Sequence, residues 1–325
     1  MAEISLFRMG LAMSKKVSVS IVGYNNRHFL FDCLTSLLEQ DYPSIEAVYV
    51  DNASTDGSAD YVKETFPLVK VIENPANFHF AKGHNIGIGN TGGDYVLILN
   101  TDVTMRKDFI SELVSAMETD DRIGSVSGKI MRADGIRIDT TGLFLGRDRR
   151  PLERGYGTLD TGLFEQGGYV FGAGGVSPLY RRKTLESIAV SGEYFDEAFE
   201  AYYEDLDLAW RAHRAGWSCW YTPKAVAYHK RGGTNKVRRP RPAFLRGYDF
   251  AYLSTEMQAR VVKNRYLSII KNDNWPDFLL NLPFIMLYDI KIWAYIAIFS
   301  PGAVPLFFKR LPDFRTAWQR RKKYK

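Results

Sequence analysis

Between residues 17 and 132, short apolar runs alternate with segments whose apolar residues recur at helical spacing. VSVSIVGYN (17–25) reads as a strand ending in a Gly-Tyr-Asn turn, and RHFLFDCLTSLLEQ as a helix. IEAVYVDNAS (45–54) is a second strand, followed by a helix, SADYVKETF, with Ser58 expected at its N-cap. VKVIENPAN is a third strand, AKGHNIGIGNTG a helix expected from about Ala81, and DYVLILNTDV a fourth strand. KDFISELVSAME and IGSVSGKIM add one more helix and strand. The alternation predicts an α/β fold with a parallel sheet between two helical layers. In such sheets ligands lie beyond the carboxyl ends of the strands. Three polar clusters fall there: Asn25, then Asp51 with Asn52, then Asn100 with Asp102.

The second half has a different pattern. TTGLFLGRDRRPLERGYGTLDTG is rich in Gly, Arg and Asp and predicts a long loop or hairpin. GGYVFGAGGVSPLYRRKTLESI gives a strand, a Gly-rich turn, a strand and a helix. FDEAFEAYYEDLDLAWRAHRAGWSCWY reads as a helix bearing acids and aromatics and ended by Gly216. SCWYTPKAVAYHKRGG reads as a strand pair with His229 near its end. From about residue 240 the pattern is helical. FLLNLPFIMLYDIKIWAYIAIFSPGAVPLFF is the most apolar stretch, but Pro283, Asp289, Lys291 and Pro301 are expected to interrupt it. That predicts amphipathic helices lying at a membrane interface, against the simpler reading of a buried helical hairpin. The expected organisation is an N-terminal extension (1–15), an α/β domain (16–240) and a helical, membrane-associating region (241–325).

Charge sharpens this picture. The net charge is +6 over 325 residues, concentrated in KRGGTNKVRRPRP and in the tail WQRRKKYK. Such clusters favour anionic surfaces, phospholipid or nucleic acid. Cys33 and Cys219 lack any zinc-type spacing and read as buried thiols of a reducing compartment. The first sixteen residues lack the apolar run and cleavage site of a signal peptide.

The candidate chemistry is carried by acids. Asp102 follows a buried strand, where it could cap the next turn or hold a divalent ion that shares its ligands with a diphosphate. The residue two positions earlier is Asn100, so this site would carry a single carboxylate. Asp51 could accept a hydrogen bond from a ribose or base, or cap its own turn. Glu204, Asp205 and Asp207 crowd one helical turn among Tyr202, Tyr203, Leu206, Leu208 and Trp210. Crowding raises at least one carboxyl pKa, which suits a base, whereas acids at a helix N-terminus also complement its dipole. His229 at a strand end could be a metal ligand, but a lone histidine reads first as a structural residue. Asn77, Lys82, Gly83 and Asn85 lie in NPANFHFAKGHNIG, where Lys82 could pair with phosphate. Neither GxxxxGK[ST] nor GxGxxG is present there.

Seven segments, VSIVGYNN, VDNASTDGS, NPANFHFAKGHNIGI, LILNTDV, GAGGVSPLYRR, YYEDLDLAWRAHRAGW and YHKRGG, occur in the order seen in family 2 glycosyltransferases. Over residues 16–235 the chain resembles the bacterial rhamnosyltransferase group. The resemblance implies a GT-A fold and an inverting transfer from a nucleoside-diphosphate sugar, first of all dTDP-rhamnose. UDP-hexoses and UDP-galactofuranose are alternatives. With it, the apolar, proline-broken C-terminal stretch and its basic tail lead to the expectation of a lipid-linked glycan acceptor of the cell envelope and a peripheral place on the cytoplasmic face of a bacterial inner membrane. The resemblance further implies Asp205 as base beside Glu204, and Asp102 with His229 as ligands of Mg²⁺ or Mn²⁺. The donor would lie against Asn25, Asp51, Asn52, Asn77, Lys82, Gly83, Asn85, Asn100, Thr101 and Gly174. Rival readings are a nucleic-acid-binding protein, which leaves the buried acids unexplained, and a degenerate transferase acting as sugar-nucleotide scaffold.

Overall fold

The computed structural model describes residues 14–231 and 249–321. The expected boundary at 240 and the basic stretch from Gly232 onward lie outside these residues.

The strands predicted from the apolar runs form β1 (Val17–Gly23), β2 (Ile45–Asp51), β3 (Val69–Glu73), β4 (Tyr95–Asn100) and β6 (Ile123–Arg132), with the short β5 (Val103–Met105) between the last two. The intervening helices are α1 (Arg27–Leu38), α2 (Ser58–Thr65), α3 (His79–Gly89) and α4 (Phe109–Met117). Helix α3 begins two residues before the expected Ala81. Ser58 is not the N-cap of α2 but its first residue; Gly57, with φ +77°, precedes it, and Asp56 takes hydrogen bonds from the Ser58 amide and hydroxyl. The long loop of the second half contains β7 (Ile138–Thr140) and a hairpin, β8 (Leu143–Leu145) with β9 (Pro151–Glu153). After it come β10 (Gly168–Val170), β11 (Leu179–Arg181) and α5 (Arg182–Ile188).

Two expectations change here. The helix expected over 195–214 is broken: α6 runs only from Glu204 to Arg214, after a short 3-10 turn at Glu197–Phe199 and a left-handed stretch. The expected strand pair is one long strand, β12 (Ser218–His229), with a register irregularity between Tyr221 and Val226.

The main sheet runs β10-β12-β6-β11-β4-β1-β2-β3. Strands β1 to β4 are parallel, as predicted, while β11 enters antiparallel between β4 and β6. Period two divides β4 between the layers: Tyr95, Leu97 and Leu99 pack with Leu30, Leu34, Phe109 and Leu113 on one face. Val96 and Ile98 pack with Ile88, Leu185 and Leu208 on the other. Both faces are therefore covered, as the unbroken apolar run of a parallel strand requires.

The C-terminal helices are α7 (Thr255–Asn272), α8 (Trp275–Phe299), α9 (Ala303–Phe308) and α10 (Pro312–Arg321). Pro283, Asp289 and Lys291 do not interrupt α8, contrary to expectation; it is a continuous helix of 25 residues. Asp289 is accommodated by an ion pair with Arg265 of α7. By length and composition α8 is long and apolar enough to cross a membrane, and only 22% of its most apolar window is buried. Ile285, Tyr288, Ile292 and Ile296 face the protein. Leu280, Leu287, Ile290 and Ile298 are each at least 66% exposed.

Candidate active site

The register of the parallel strands assembles the first wall of the site. Gly23 lies beside Asp51, and Val22 beside Asn100, so the three polar clusters meet at one sheet edge. A side chain at position 23 would strike the Tyr49 ring, whose hydroxyl donates to Asp51 Oδ1 at 3.2 Å. The Ser54 amide donates to the other carboxylate oxygen at 2.8 Å. Asn25, at φ +53°, accepts from the Thr55 amide at 2.8 Å and ties the β1 and β2 loops together.

The remaining expected donor-side residues divide by what they touch. Asn52 is buried, donates to the His79 carbonyl at 3.0 Å and accepts from Asn74 at 2.9 Å. Asn85 bridges to Phe195, Glu197 and the Tyr194 and Phe195 amides. Asn77 accepts from the His79 amide, and Thr101 accepts from Asn26. Asn100 is held by its backbone, its amide donating to the Val176 carbonyl at 3.1 Å. A Cβ on Gly83 would meet Val22 at 2.8 Å, so that glycine lets α3 approach β1. Lys82 is partly exposed, stands over the Phe78 ring and lies 3.9 Å from Glu197. Gly174 lies against the Glu153 carboxylate, whose oxygens would be 3.2 and 3.3 Å from an added Cβ.

Sheet pairing also brings together residues more than a hundred positions apart. Strand β5 pairs with β12, placing His229 opposite Val103 and next to Asp102. His229 Nε2 is 3.2 Å from Asp102 Oδ1, while Nδ1 is 2.8 Å from Asp139 Oδ2 on β7. Asp139 is fully buried and also receives Arg231. Burial opposes a charge on His229, but the hydrogen bonds it donates to Asp102 and Asp139 outweigh it and push its pKa up to about 9. Asp139 is itself held below the usual carboxylate range: burial would raise it, and His229 and Arg231 more than offset that.

This pair suits a divalent cation. One carboxylate oxygen and one imidazole nitrogen converge, and a second carboxylate orients the imidazole from behind. Among the described residues no third His, Cys, Asp or Glu completes a metal cluster. A cation here would draw its other ligands from diphosphate oxygens or water, as Mg²⁺ and Mn²⁺ commonly do.

A second group of acids reaches the same sheet edge through the 174–176 loop, whose Val176 carbonyl accepts from the Asn100 amide. Asp205 accepts from the Gly175 amide at 3.1 Å and from the Leu206 amide at 2.7 Å. Burial raises its pKa. Glu204 is raised further, by burial and then by the Asp205 charge, and its Oε2 has no hydrogen-bond partner among the described residues. Glu153 Oε2 is likewise buried and unpartnered. Burial pushes Glu153 up to about 8, a Thr140 hydrogen bond opposing and the Asp205 charge adding. Arg231 and Asp139 also act on Glu153, so it lies between the imidazole side and the Asp205 side.

Sequence reasoning missed Asp139, Glu153 and Arg231. Asp139 had a readable signal, a carboxylate between Ile138 and Thr140 in a strand-like run. Glu153 had none, because the fold alone brings its hairpin to Gly174.

A sequence model of glycosyl transferase family 2 matches residues 18–188, more than half of the chain. The chain belongs to glycosyl transferase family 2. It is 28% identical over 110 residues to an uncharacterized glycosyltransferase of Haemophilus influenzae, covering 33% of this chain and 34% of that one. The chain thus spans about a third of the length of that relative. It is 26% identical over 254 residues to the N-acetylglucosaminyl-diphospho-decaprenol L-rhamnosyltransferase of Mycobacterium tuberculosis, covering 69% of this chain and 79% of that one. The mannosyltransferase PcManGT of Pyrobaculum calidifontis, solved with GDP-Man and Mn²⁺, superposes with a TM-score of 0.55 at 19% identity, over 96% of this chain and 86% of that one. The shared architecture is the GT-A fold that the resemblance implied.

Proposed function

We propose that this protein is an inverting glycosyltransferase that moves a sugar from a nucleoside diphosphate to a lipid-linked acceptor in cell-envelope polysaccharide synthesis. The observation that carries the reading is the pairing of Asp102 with His229 at 3.2 Å, with half-buried Asp205 and buried Glu204 brought near the same sheet edge through Gly175 and Val176. Asp51 and Asn25 hold the nucleoside, and Lys82 lies along the diphosphate. Asn52, Asn77, Asn85 and Thr101 fix the loops of the first wall. Asp205, kept basic by burial, takes the proton of the acceptor hydroxyl as the hydroxyl attacks the anomeric carbon. The backbone amides of Gly175 and Leu206 keep that carboxylate aimed. Asp102 and His229 would hold Mg²⁺ or Mn²⁺, which when bound neutralises charge on the leaving diphosphate.

The donor proposed first is dTDP-rhamnose, supported by the mycobacterial relative, which aligns over most of both chains. Thermal denaturation with dTDP, UDP and GDP, each with and without Mn²⁺, followed by turnover on the matching sugar nucleotides, tests the reading. Stabilisation by dTDP plus Mn²⁺ and rhamnosyl transfer is the expected result. Preference for UDP moves the donor to a UDP-sugar, and binding without turnover makes the protein a sugar-nucleotide scaffold. The exposed apolar face of α8 supports peripheral attachment to an anionic membrane. Co-sedimentation with anionic vesicles should be lost in Leu280→Glu/Leu287→Glu; retained binding would sink that part.

A further inference from the structure

The acids of α6 are reached through an unusual piece of backbone. Glu200, Tyr202 and Tyr203 have φ of +59°, +72° and +71°, left-handed values that residues with a Cβ disfavour. None of them is glycine. The side chains explain why Tyr203 is retained: it is buried with Phe199, Leu206 and Leu267. The next two residues are Glu204 and Asp205, so this turn sets where both carboxylates point.

The turn is held from outside. Asn264, fully buried on α7, donates its side-chain amide to the carbonyls of Phe199, Ala201 and Tyr202 at 2.7, 2.9 and 2.7 Å. Those acceptors leave only the amide nitrogen able to face the turn. Lys263, the preceding residue, donates to the Ala198 carbonyl at 2.5 Å. The Glu200 carbonyl, pointing the other way, accepts from the amides of Phe80 and Ala81 at 3.0 Å each. Strained backbone persists only where its surroundings over-determine it. Here the surroundings are two neighbouring residues of the C-terminal helical region, Lys263 and Asn264, and the start of α3.

We infer that Asn264 is a positioning residue: by clamping the left-handed turn at 199–203 it fixes the approach of Asp205 to the acceptor, so the C-terminal region is part of the catalytic apparatus as well as an anchor. The inference rests on the transferase reading given above. The proposed nucleoside contacts, Asp51 and Asn25, belong to the β1 and β2 ends and share no hydrogen bond with this turn, so loss of the clamp acts on turnover and spares nucleotide binding.

The test compares full-length parent, Asn264→Ala, Tyr202→Gly and the double variant Asn264→Ala/Tyr202→Gly. Glycine adopts positive φ freely, so it removes the need for the clamp at that position. Hydrogen exchange of amides 200–206 is read without any substrate. Affinity for dTDP or UDP with Mn²⁺ and kcat on the active donor are read separately. Asn264→Ala should speed exchange in that segment and lower kcat roughly 10- to 100-fold, the scale of an ångström-level misplacement. Nucleotide affinity should stay within about twofold, since uniform binding is untouched. Tyr202→Gly in the Asn264→Ala background should recover part of both exchange protection and kcat. Parent-like exchange or kcat in Asn264→Ala overturns the inference. So does a fall in kcat, nucleotide affinity and thermal stability together that glycine does not relieve, because that marks a general structural role. If the parent transfers no sugar from any donor, the transferase reading fails, while the clamp is still judged by exchange.

Discussion

Helix α6 carries two acids on one turn with opposite fates. Asp207 is fully buried and saturated with partners: Arg211 Nε at 2.9 Å, Lys271 Nζ at 2.8 Å and Asn272 Nδ2 at 2.8 Å. Asp196 shares the same lysine and also receives Arg320 from α10, and those cations outweigh burial to hold its carboxyl well below the usual range. Asp205, two residues earlier, receives only backbone amides, and its pKa is raised. A buried carboxylate ringed by cations is kept ionised and fixed in place; one left with neutral donors keeps affinity for a proton. The first kind holds the C-terminal helices to the α/β layer, and the second is what a base needs.

Substitutions should separate the two faces. The largest effect is expected for Asp205→Asn, which should lower kcat by about 10²- to 10⁴-fold with nucleotide affinity and melting temperature nearly unchanged. Near-parental turnover would remove Asp205 as base. Asp207→Ala should act on stability, because it takes a carboxylate from Arg211 and from Lys271, each 1% exposed at the side chain, and leaves Lys271 with the Asp196 carboxylate alone among the described residues. A loss of about 3–5 kcal/mol in denaturant unfolding is expected. If Asp207→Ala were stable and inactive, the division between the faces would be wrong.

Asp139→Asn is a smaller perturbation on the cation side. It weakens the orientation of His229, so Mn²⁺ affinity measured by calorimetry should fall roughly 10- to 100-fold while the fold persists. The smallest effect is a pH dependence at Glu153. Its folded pKa of about 8 lies above the ordinary 4.5, so between these values the folded state binds more protons than the unfolded chain. Stability of the parent therefore falls as pH rises through that window. Glu153→Gln lacks the proton, so its melting temperature should gain on the parent from pH 5 to pH 8. A constant offset across that range would show that Glu153 is ionised throughout.

The first wall of the site was legible because it is written in short segments. Asp51 and Asp102 each follow an apolar run that can only be a buried strand, and parallel strands deliver their carboxyl ends to one edge. The family resemblance carried Asp205 and His229, whose local spacing left bland readings open. The helix drawn through 195–214 failed because its apolar period continues through Tyr202 and Tyr203, while tertiary contacts impose left-handed backbone there. The interruption expected at Pro283 failed for another reason. Pro283 stands inside the helix, where it removes one main-chain hydrogen bond, and the packing of Ile285, Tyr288, Ile292 and Ile296 offsets that cost.

By itself, then, the sequence determined what neighbouring residues decide together: which runs are strands, that the sheet is sandwiched, and where polar groups leave it. Only the tertiary structure decided that Glu204 and Asp205 lie where burial raises their pKa, while Asp207 is ringed by Arg211, Lys271 and Asn272. It also decided that Asp139 stands behind His229, that Glu153 enters the cleft, and that Asn264 restrains the turn before α6. The physical reason is range. Strand and helix patterns arise from the chain's own period, but a carboxyl's charge state is set by whatever packs within a few ångströms of it. For these acids those neighbours are as far away in sequence as Arg231, Lys271 and Arg320.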